Sequence, residues 1–190
     1  MIAATNNEDK LREIREILSD YEIYSLKDKN IYIDVEEDKD TFLENAKKKA
    51  QEIYNITHEE TIADDSGLCI NALDGFPGVF THRFLGEDAT DEMRNIYLIE
   101  KTNEHSNRSA KVMCYIVYYD GKRTIIGEGI LNGFISKDRR GINGFGFDEI
   151  FELENGKTLA ELTPSEKNEV SARALALKDL KRKLKKNFKI

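Results

Sequence analysis

The chain has 190 residues, of which 39% are hydrophobic and 34% are charged, and its formal net charge is −7. This length and composition predict one globular domain over residues 1–190 and exclude an intrinsically disordered chain. No apolar run reaches the roughly 20 residues that cross a bilayer, and the N-terminus lacks a signal-peptide pattern. We therefore expect a cytoplasmic protein without a membrane partner.

The first part of the sequence alternates strand and helix patterns. Residues 1–5 form a short apolar run, and apolar residues then recur at helical spacing over 11–18 before a second strand-like run at 21–26. Thr41, with Glu44 three residues later, forms a capping-box pattern. This pattern predicts that the second helix begins there.

The middle of the chain is rich in strand patterns. Short runs at 61–63 and 68–72 flank a polar Asp-Asp-Ser-Gly segment. Two long β-rich runs, 110–119 and 123–135, meet at an Asp-Gly pair, which is a strong hairpin signal. The sequence therefore predicts a long hairpin at the centre of the chain.

Two further helices complete the pattern. One is predicted from about Thr90, with Met93, Ile96 and Tyr97 on one side. The last begins at 163–166, where a threonine cap, a proline and a glutamate combine. Strands separated by helices, with one long hairpin, predict an α/β fold: a mixed twisted sheet flanked by helices, with two lobes that enclose a cleft.

The cysteines and the basic C-terminal segment have simple interpretations. Cys69 and Cys114 lie in apolar strand-like runs, so we expect buried free thiols rather than a disulfide. From Lys178 to Lys189 there are seven basic residues and one acid. Such a segment can bind nucleic acid, but it also suits the solvated face of a terminal helix. Since Phe188 is the only aromatic residue among the lysines, we favour the helix and expect no nucleic-acid partner.

The junction between the first strand and the first helix has residues suited to phosphate binding. Backbone N–H groups and the positive end of a helix can receive an anion at such a junction. Thr5 and Asn7 can donate hydrogen bonds, and Lys10 adds a mobile cation. An ordinary helix cap made by Asn6 or Asn7 explains the same residues.

Asp64 and Asp65 place two carboxylates side by side after an apolar strand. On an extended chain their side chains diverge, so one can hold structure while the other enters a cleft. Adjacent acids at a strand end are frequent magnesium ligands beside substrate phosphates, and the acidic stretch 36–40 can supply a further ligand. A solvated acidic turn is the alternative.

Two later segments also contain residues that can bind a ligand. Glycines in 141–148 allow close approach of a ligand, and the phenylalanines there can stack on a base. A glycine-rich turn with core phenylalanines is the alternative. Lys167, Ser171 and Arg173 lie in the opening turns of the last helix, where the first two share a face. Solvated charges explain them equally well.

Several motifs occur in a fixed order from residue 1 to about 180. They are Thr5-x-Asn7-x-x-Lys10, Thr41-Phe42-x-Glu44-Asn45-Ala46-x-x-Lys49-Ala50, Ala63-Asp64-Asp65-Ser66-Gly67-Leu68, Gly75-x-Pro77-Gly78, Gly86-Glu87-Asp88-Ala89-Thr90, Gly144-Phe145-Gly146-Phe147-Asp148 and Glu161-Leu162-Thr163-x-x-Glu166-Lys167. In this order they resemble the inosine triphosphate pyrophosphatase family. The resemblance implies a magnesium-dependent homodimer that splits non-standard purine nucleoside triphosphates (dITP, ITP, XTP) into monophosphate and pyrophosphate, in a cleft between two lobes.

The resemblance also implies roles for individual residues. The triphosphate is bound by Thr5, Asn7 and Lys10. Glu36 and Asp65 bind magnesium, and Asp65 is also the general base. Later motifs supply the other substrate contacts, with Phe145 stacked on the base: Ser66, Phe145, Gly146, Phe147, Asp148, Lys167 and Arg173.

Two positions depart from the family pattern. Ala172 stands where the family has the histidine of Ser-His-Arg, and Thr81-His82-Arg83 replaces a common Ser-Ala-Arg. Loss of one hydrogen-bonding group weakens discrimination between bases. We therefore expect ITP and XTP to be preferred over ATP and GTP by a narrower margin.

Two other functions compete with this interpretation. One is a related pyrophosphatase that acts on another unusual base, such as a modified pyrimidine. The other is a non-catalytic module that binds nucleotides or, through its basic segment, nucleic acid. The second is disfavoured because Glu36, Asp64 and Asp65 repel phosphate unless a metal ion intervenes.

Overall fold

The computed structural model describes residues 1–86 and 88–188. Glu87 of the sequence motifs and Lys189 of the basic C-terminal segment lie outside the described residues. Within these residues there are five α-helices and six strands. The helices are α1 (Glu8–Ile17), α2 (Phe42–Thr57), α3 (Asp91–Asn103), α4 (Pro164–Val170) and α5 (Ala172–Phe188). The strands are β1 (Ile2–Ala3), β2 (Tyr24–Ser25), β3 (Thr61–Ile70), β4 (Ser109–Tyr119), β5 (Thr124–Ile135) and β6 (Phe151–Glu152).

The strands form one mixed sheet in the order β2-β1-β3-β4-β5-β6. Strand β1 pairs in parallel with β2 and with β3, with Ile2 opposite Tyr24 and Thr61. Parallel neighbours need crossover connections, and α1 and α2 provide them. Strands β5 and β6 pair antiparallel. The predicted α/β fold with a mixed sheet and a central β4–β5 hairpin is confirmed.

The chain divides into two compact units. The first comprises Met1–Asp65, Cys114–Gly129 and the chain from Ala172 onward; the second comprises Ser66–Met113 and Ile130–Ser171. The single domain over 1–190 and the substrate cleft between lobes stay predictions. Among the described residues, no helix is long and apolar enough to cross a membrane.

In the first unit, α5 packs directly on the backbone of β5. A Cβ atom on Gly129 would lie 2.0 Å from the carbonyl oxygen of Ala172, and one on Gly127 would lie 2.2 Å from that of Ala176. Since glycine alone permits this approach, the two strand glycines set the depth of the helix. Ala174, Leu177 and Leu184 of α5 are buried.

The composition of the Asp-Asp-Ser-Gly segment also allowed a solvated turn. The structure shows no turn there. Strand β3 runs unbroken through it, and nine of its ten residues are buried. Strands buried on both faces do not show alternating hydrophobicity. The acids of this strand, Asp64 and Asp65, are therefore buried side chains that need partners.

Two helix predictions were wrong in detail. The last helix is interrupted at Ser171, whose ψ is 149° and whose N–H donates to the Lys167 carbonyl, so Lys167 and Ser171 do not share a face of one continuous helix. In α3 the predicted face is not the buried one, since Met93 is 53% exposed and Ile96 is 43% exposed. The buried residues of α3 are Asn95, Leu98, Ile99 and Thr102.

The free thiols and the helical basic segment are as predicted, except that Cys69 is not fully buried. Both cysteines are free, Cys114 is buried and Cys69 is partly buried. Burial raises the pKa of the Cys114 thiol to about 12. Basic residues of α5 pair within the first unit: Lys181 and Lys185 both contact Asp20.

Replacing Gly129 by alanine should destabilise the protein by about 1–3 kcal/mol, because the new methyl group must displace α5. Urea unfolding would show the loss as a lower transition midpoint. Ile130→Ala, which truncates a neighbouring side chain that is 41% exposed, serves as the control. A Gly129→Ala protein as stable as this control would contradict direct packing of helix on strand.

Candidate active site

Two adjacent carboxylates lie in the middle of β3. Because successive side chains of a strand point to opposite faces, Asp64 and Asp65 have different surroundings. Asp64 is 1% exposed, and its Oδ2 lies 3.1 Å from Lys10 Nζ and 3.2 Å from Arg173 Nε. Burial opposes its ionisation, but Lys10 and Arg173 hold the pKa of this carboxyl below its ordinary value. Asp64 therefore ties α1 and α5 to β3.

Arg173 is buried among acids of the first unit. Its Nη1 donates to Glu13 Oε2 at 2.8 Å, and its Nε donates to Asp64. Burial opposes the charge, but the two carboxylates raise the pKa of the guanidinium above its ordinary value. The residue that the resemblance assigned to substrate thus pairs with Asp64 and Glu13.

Asp65 is a buried carboxylate that is bonded by a neutral amide. It is 3% exposed, and its Oδ2 accepts a hydrogen bond from Asn45 Nδ2 at 2.9 Å. Burial and the negative charge of Glu37 raise the pKa of Asp65 to about 6, while Lys49 and Asn45 act in the opposite direction. Such a carboxyl is poised to take up a proton near neutral pH.

The acidic stretch before α2 contributes one carboxylate to this cluster. Glu37 Oε1 lies 2.5 Å from Lys49 Nζ. Glu36, which the resemblance assigned to the metal, is exposed, and its carbonyl accepts a hydrogen bond from Lys48 Nζ at 2.8 Å. The side chain brought to Asp65 and Lys49 is therefore that of Glu37, one residue further along.

Lys49 and Asn45 complete the cluster, and no role was predicted for either. They lie one turn apart on α2, facing inward together with Ala46, Ala50 and Ile53. Burial opposes the charge of Lys49, but Asp64 and Glu37 raise its pKa. The available sequence signal was two polar residues at positions where the helical repeat predicts apolar ones.

The first strand–helix junction has the geometry of a helix cap. Asn7 Oδ1 accepts hydrogen bonds from the N–H groups of Asp9 and Lys10, and Thr5 Oγ1 accepts one from Asn7. The cap that was an alternative explanation is therefore present. Lys10 is 8% exposed and pairs with Asp64, so it is not a mobile surface cation. The start of α1 still presents the positive end of a helix.

The donor atoms of the cluster are oxygens. Asp65 and Glu37 supply carboxylates, and Asp64 Oδ1 is buried without a hydrogen-bond partner among the described residues. Magnesium prefers such ligands and usually keeps substrate phosphates and waters as its other ligands. Over 1–86 and 88–188, no group of three or more His, Cys, Asp or Glu side chains could hold a metal ion. Asp65 and Glu37 are thus two carboxylates of the kind that a divalent cation prefers as ligands.

In the second unit, the glycine-rich loop is organised around Asp148. Its Oδ2 accepts a hydrogen bond from the Phe145 N–H at 2.9 Å and lies 2.7 Å from Lys167 Nζ. That ammonium also lies 4.4 Å from the centre of the Phe145 ring. The structure therefore brings together three residues that the resemblance assigned to substrate.

Helix α3 holds the same loop through Gly146. Asp91 Oδ2 accepts a hydrogen bond from the Gly146 N–H at 3.0 Å, and Asn95 Nδ2 donates one to the Gly146 carbonyl at 2.9 Å. No role was predicted for these two residues, which stand one turn apart on α3. Gly144 also has to be glycine, because its φ is +80° and a Cβ would lie 2.1 Å from Asp148 Oδ2.

The remaining predicted residues lie near this loop or in β3. His82 and Phe147 line one small cavity together with Gly146 and Asn95. His82 is therefore close to the glycine loop, although it comes from the segment after Pro77. Ser66 is buried in β3, at the start of the second unit.

The chain is similar over nearly its whole length to proteins of one family. The model of the Ham1 family matches residues 1–183. The chain is 42% identical to the dITP/XTP pyrophosphatase of Aquifex aeolicus, in an alignment that covers 97% of this chain and 96% of that protein. It is 44% identical to the dITP/XTP pyrophosphatase of Geobacter sulfurreducens, covering 95% and 94% of the two chains. A HAM1 protein structure from Coxiella burnetii matches with a TM-score of 0.89 and 38% identity, covering 97% of this chain and 98% of that one.

Replacing Arg173 by methionine should destabilise the protein by about 3–5 kcal/mol, because Asp64 and Glu13 would be left as buried charges without this partner. Arg182→Met on the same helix is the matched control, since Arg182 is 72% exposed in its pair with Asp179. An exposed pair contributes about 0–1 kcal/mol. Equal losses for the two variants in urea unfolding would contradict the structural role of Arg173.

Proposed function

The chain belongs to the Ham1 family, and from that premise we propose that it hydrolyses non-standard purine nucleoside triphosphates, namely dITP, ITP and XTP, to monophosphate and pyrophosphate. The observation that carries the proposal is the cluster in which charged residues far apart in the sequence meet: Lys10, Glu37, Lys49, Asp64 and Asp65. Cations for a triphosphate and a carboxylate for water activation are the groups that such hydrolysis needs. Such an enzyme would remove damaged purines from the nucleotide pool.

Asp65 is the proposed general base. Its carboxylate is desolvated, and Asn45 rather than a cation holds one of its oxygens. It can therefore orient a water molecule toward the α-phosphorus and accept its proton as the bond to pyrophosphate breaks. Asp64 cannot share this role, because Lys10 and Arg173 stabilise its anion.

We propose that magnesium binds to Asp65 and Glu37. Glu37 replaces Glu36 in this assignment because its carboxylate faces the cluster, whereas Glu36 is exposed. When bound, the ion would supply positive charge to the phosphate oxygens. Asp64 Oδ1, a buried oxygen without a hydrogen-bond partner among the described residues, adds to the negative potential that would draw a cation here.

The triphosphate is proposed to bind at the start of α1. Thr5 and Asn7 lie at the first turn of α1, where the helix dipole favours anions. Lys10 and Lys49 would offset charge that develops on the pyrophosphate leaving group. Arg173 stabilises Asp64, and its contact with substrate stays a prediction from the family resemblance.

The glycine-rich loop is proposed to bind the base. Phe145 offers a ring for stacking, and Gly146, Phe147 and Asp148 form the surrounding wall. Lys167 holds Asp148 and would also attract phosphate. Ser66 is proposed to contact substrate from β3. On the family resemblance alone, we also propose one catalytic domain over 1–190, working as a cytoplasmic homodimer without nucleic acid.

The products of ITP hydrolysis show directly which phosphate bond is broken. Phosphorus NMR of an ITP digest should show inosine monophosphate and pyrophosphate in the presence of magnesium, and no reaction in excess EDTA. Inosine diphosphate with orthophosphate as first products would contradict the proposal. Binding of ITP without any turnover would instead support a non-catalytic nucleotide-binding module.

Asp65→Asn should lower kcat for ITP by about 10²–10⁴, because the amide cannot accept the proton of water. Pyrophosphate release at saturating ITP and magnesium measures the effect. Asp74→Asn is the matched control, since Asp74 is exposed in a left-handed turn that asparagine also adopts. A near-normal kcat for Asp65→Asn would remove Asp65 from the reaction.

Base selectivity should depend on His82. This histidine lines the cavity beside Gly146 and Phe147, whereas Ala172 has no side-chain hydrogen bond to offer. Loss of one hydrogen bond is worth about 1 kcal/mol, or about five- to tenfold. His82→Ala should therefore lower the ITP/GTP ratio of kcat/KM by that factor. His105→Ala, at an exposed site on another segment, should leave the ratio unchanged, and equal ratios for both variants would exclude His82 from base reading.

A further inference from the structure

The side chain of Asn45 connects two parts of the first unit that are distant in sequence. It is completely buried, and both ends of its amide are used. Oδ1 accepts a hydrogen bond from the Lys39 N–H at 2.9 Å, and Nδ2 donates to Asp65 Oδ2 at 2.9 Å. Asn45 thus bridges the acidic stretch 36–40 and the middle of β3.

Asparagine suits this position for a chemical reason. Its amide offers a donor and an acceptor without a charge. Aspartate would place another anion beside Asp65 and Glu37, and an apolar residue would leave a buried N–H and a buried carboxylate without these bonds. Asparagine is unfavourable inside a helix, so its place in the first turns of α2 is explained by the two contacts and not by helix propensity.

Helix α2 holds the acidic stretch at several points, including the contacts of Lys48 with the Glu36 carbonyl and the Asp38 carboxylate. Asn45 binds the main chain at Lys39, and Lys49, one turn later, reaches the carboxylate of Glu37. Because Asn45 also holds Asp65, it links the position of the Asp65 carboxylate to the main chain of the acidic stretch. Deviations of roughly half an ångström are enough to impair a catalytic arrangement of this kind.

We propose that Asn45 is a positioning residue that fixes the orientation of the Asp65 carboxylate relative to the acidic stretch 36–40. The proposal rests on the proposed function, because it assumes that Asp65 acts in the hydrolysis. Asn45 itself does not touch substrate in this account. Its contribution should therefore appear in kcat more than in KM.

Two substitutions separate the two hydrogen bonds. Asn45→Leu has a similar size and removes both, whereas Asn45→Asp keeps an acceptor for the Lys39 N–H and loses the donor to Asp65. Thr102→Val is the control for a lost buried hydrogen bond, since Thr102 is fully buried and donates to the Leu98 carbonyl away from this cluster. All three are assayed with ITP below their melting temperatures, with circular dichroism as the test of folding.

Both Asn45 variants should lower kcat by about tenfold or more, because a hydrogen bond to a charged group is lost, with KM changed less than about threefold. Thr102→Val should keep its kcat, whatever its melting temperature. Hydrogen exchange at the Lys39 amide supplies a readout that is independent of turnover. It should accelerate in Asn45→Leu and stay protected in Asn45→Asp.

A folded Asn45→Leu or Asn45→Asp enzyme with kcat within about twofold of wild type would overturn the proposal, as would a loss confined to KM. If Asn45→Leu does not fold, the kcat of Asn45→Asp tests the proposal, because this variant keeps an acceptor for the Lys39 N–H. Unchanged exchange at Lys39 in a folded Asn45→Leu protein overturns the bridge to the acidic stretch. A wild-type protein that releases no pyrophosphate overturns the proposed function instead, so the two failures are distinguishable.

Discussion

The organisation of the first unit depends on the pairing of one buried anion. Asp64 sits in the middle of a strand that is buried on both faces, and an isolated charge there would be strongly destabilising. Its two partners, Lys10 and Arg173, come from α1 and α5, near opposite ends of the chain. Folding therefore has to bring both terminal helices to β3. Arg173 is in turn held by Glu13 of α1, so the two helices are also joined to each other.

This pairing has a consequence for the chemistry of the neighbouring residue. The cations Lys10 and Arg173 are bound by Asp64. An oxygen of Asp65 meets a neutral amide, Asn45, and the pKa of Asp65 rises to about 6 through burial and the nearby charge of Glu37. The surroundings thus lower the pKa of Asp64 and raise that of Asp65, although the two are adjacent in sequence. A lowered pKa suits a structural anion, and a raised one suits a general base.

The sequence predicted local features well and long-range partners poorly. The hairpin at Asp120–Gly121 and the cap at Thr41 were correct because turn and cap chemistry is encoded within a few residues. For the Asp64-Asp65 segment a solvated turn stayed open as an alternative to a buried site, because buried, paired acids look like solvated ones until their partners are known. For the same reason no roles were predicted for Asn45 and Lys49, and the acidic stretch did not distinguish Glu36 from Glu37, since only the fold decides which carboxylate faces inward.

The central claim is that Asp65 directs water at the α-phosphorus. Hydrolysis of ITP in water enriched in ¹⁸O, followed by mass spectrometry of both products, tests it most directly, because the attacked phosphorus retains the oxygen from water. The account predicts the label in inosine monophosphate and none in pyrophosphate. Label in pyrophosphate would place the attack at the β-phosphorus and contradict the account.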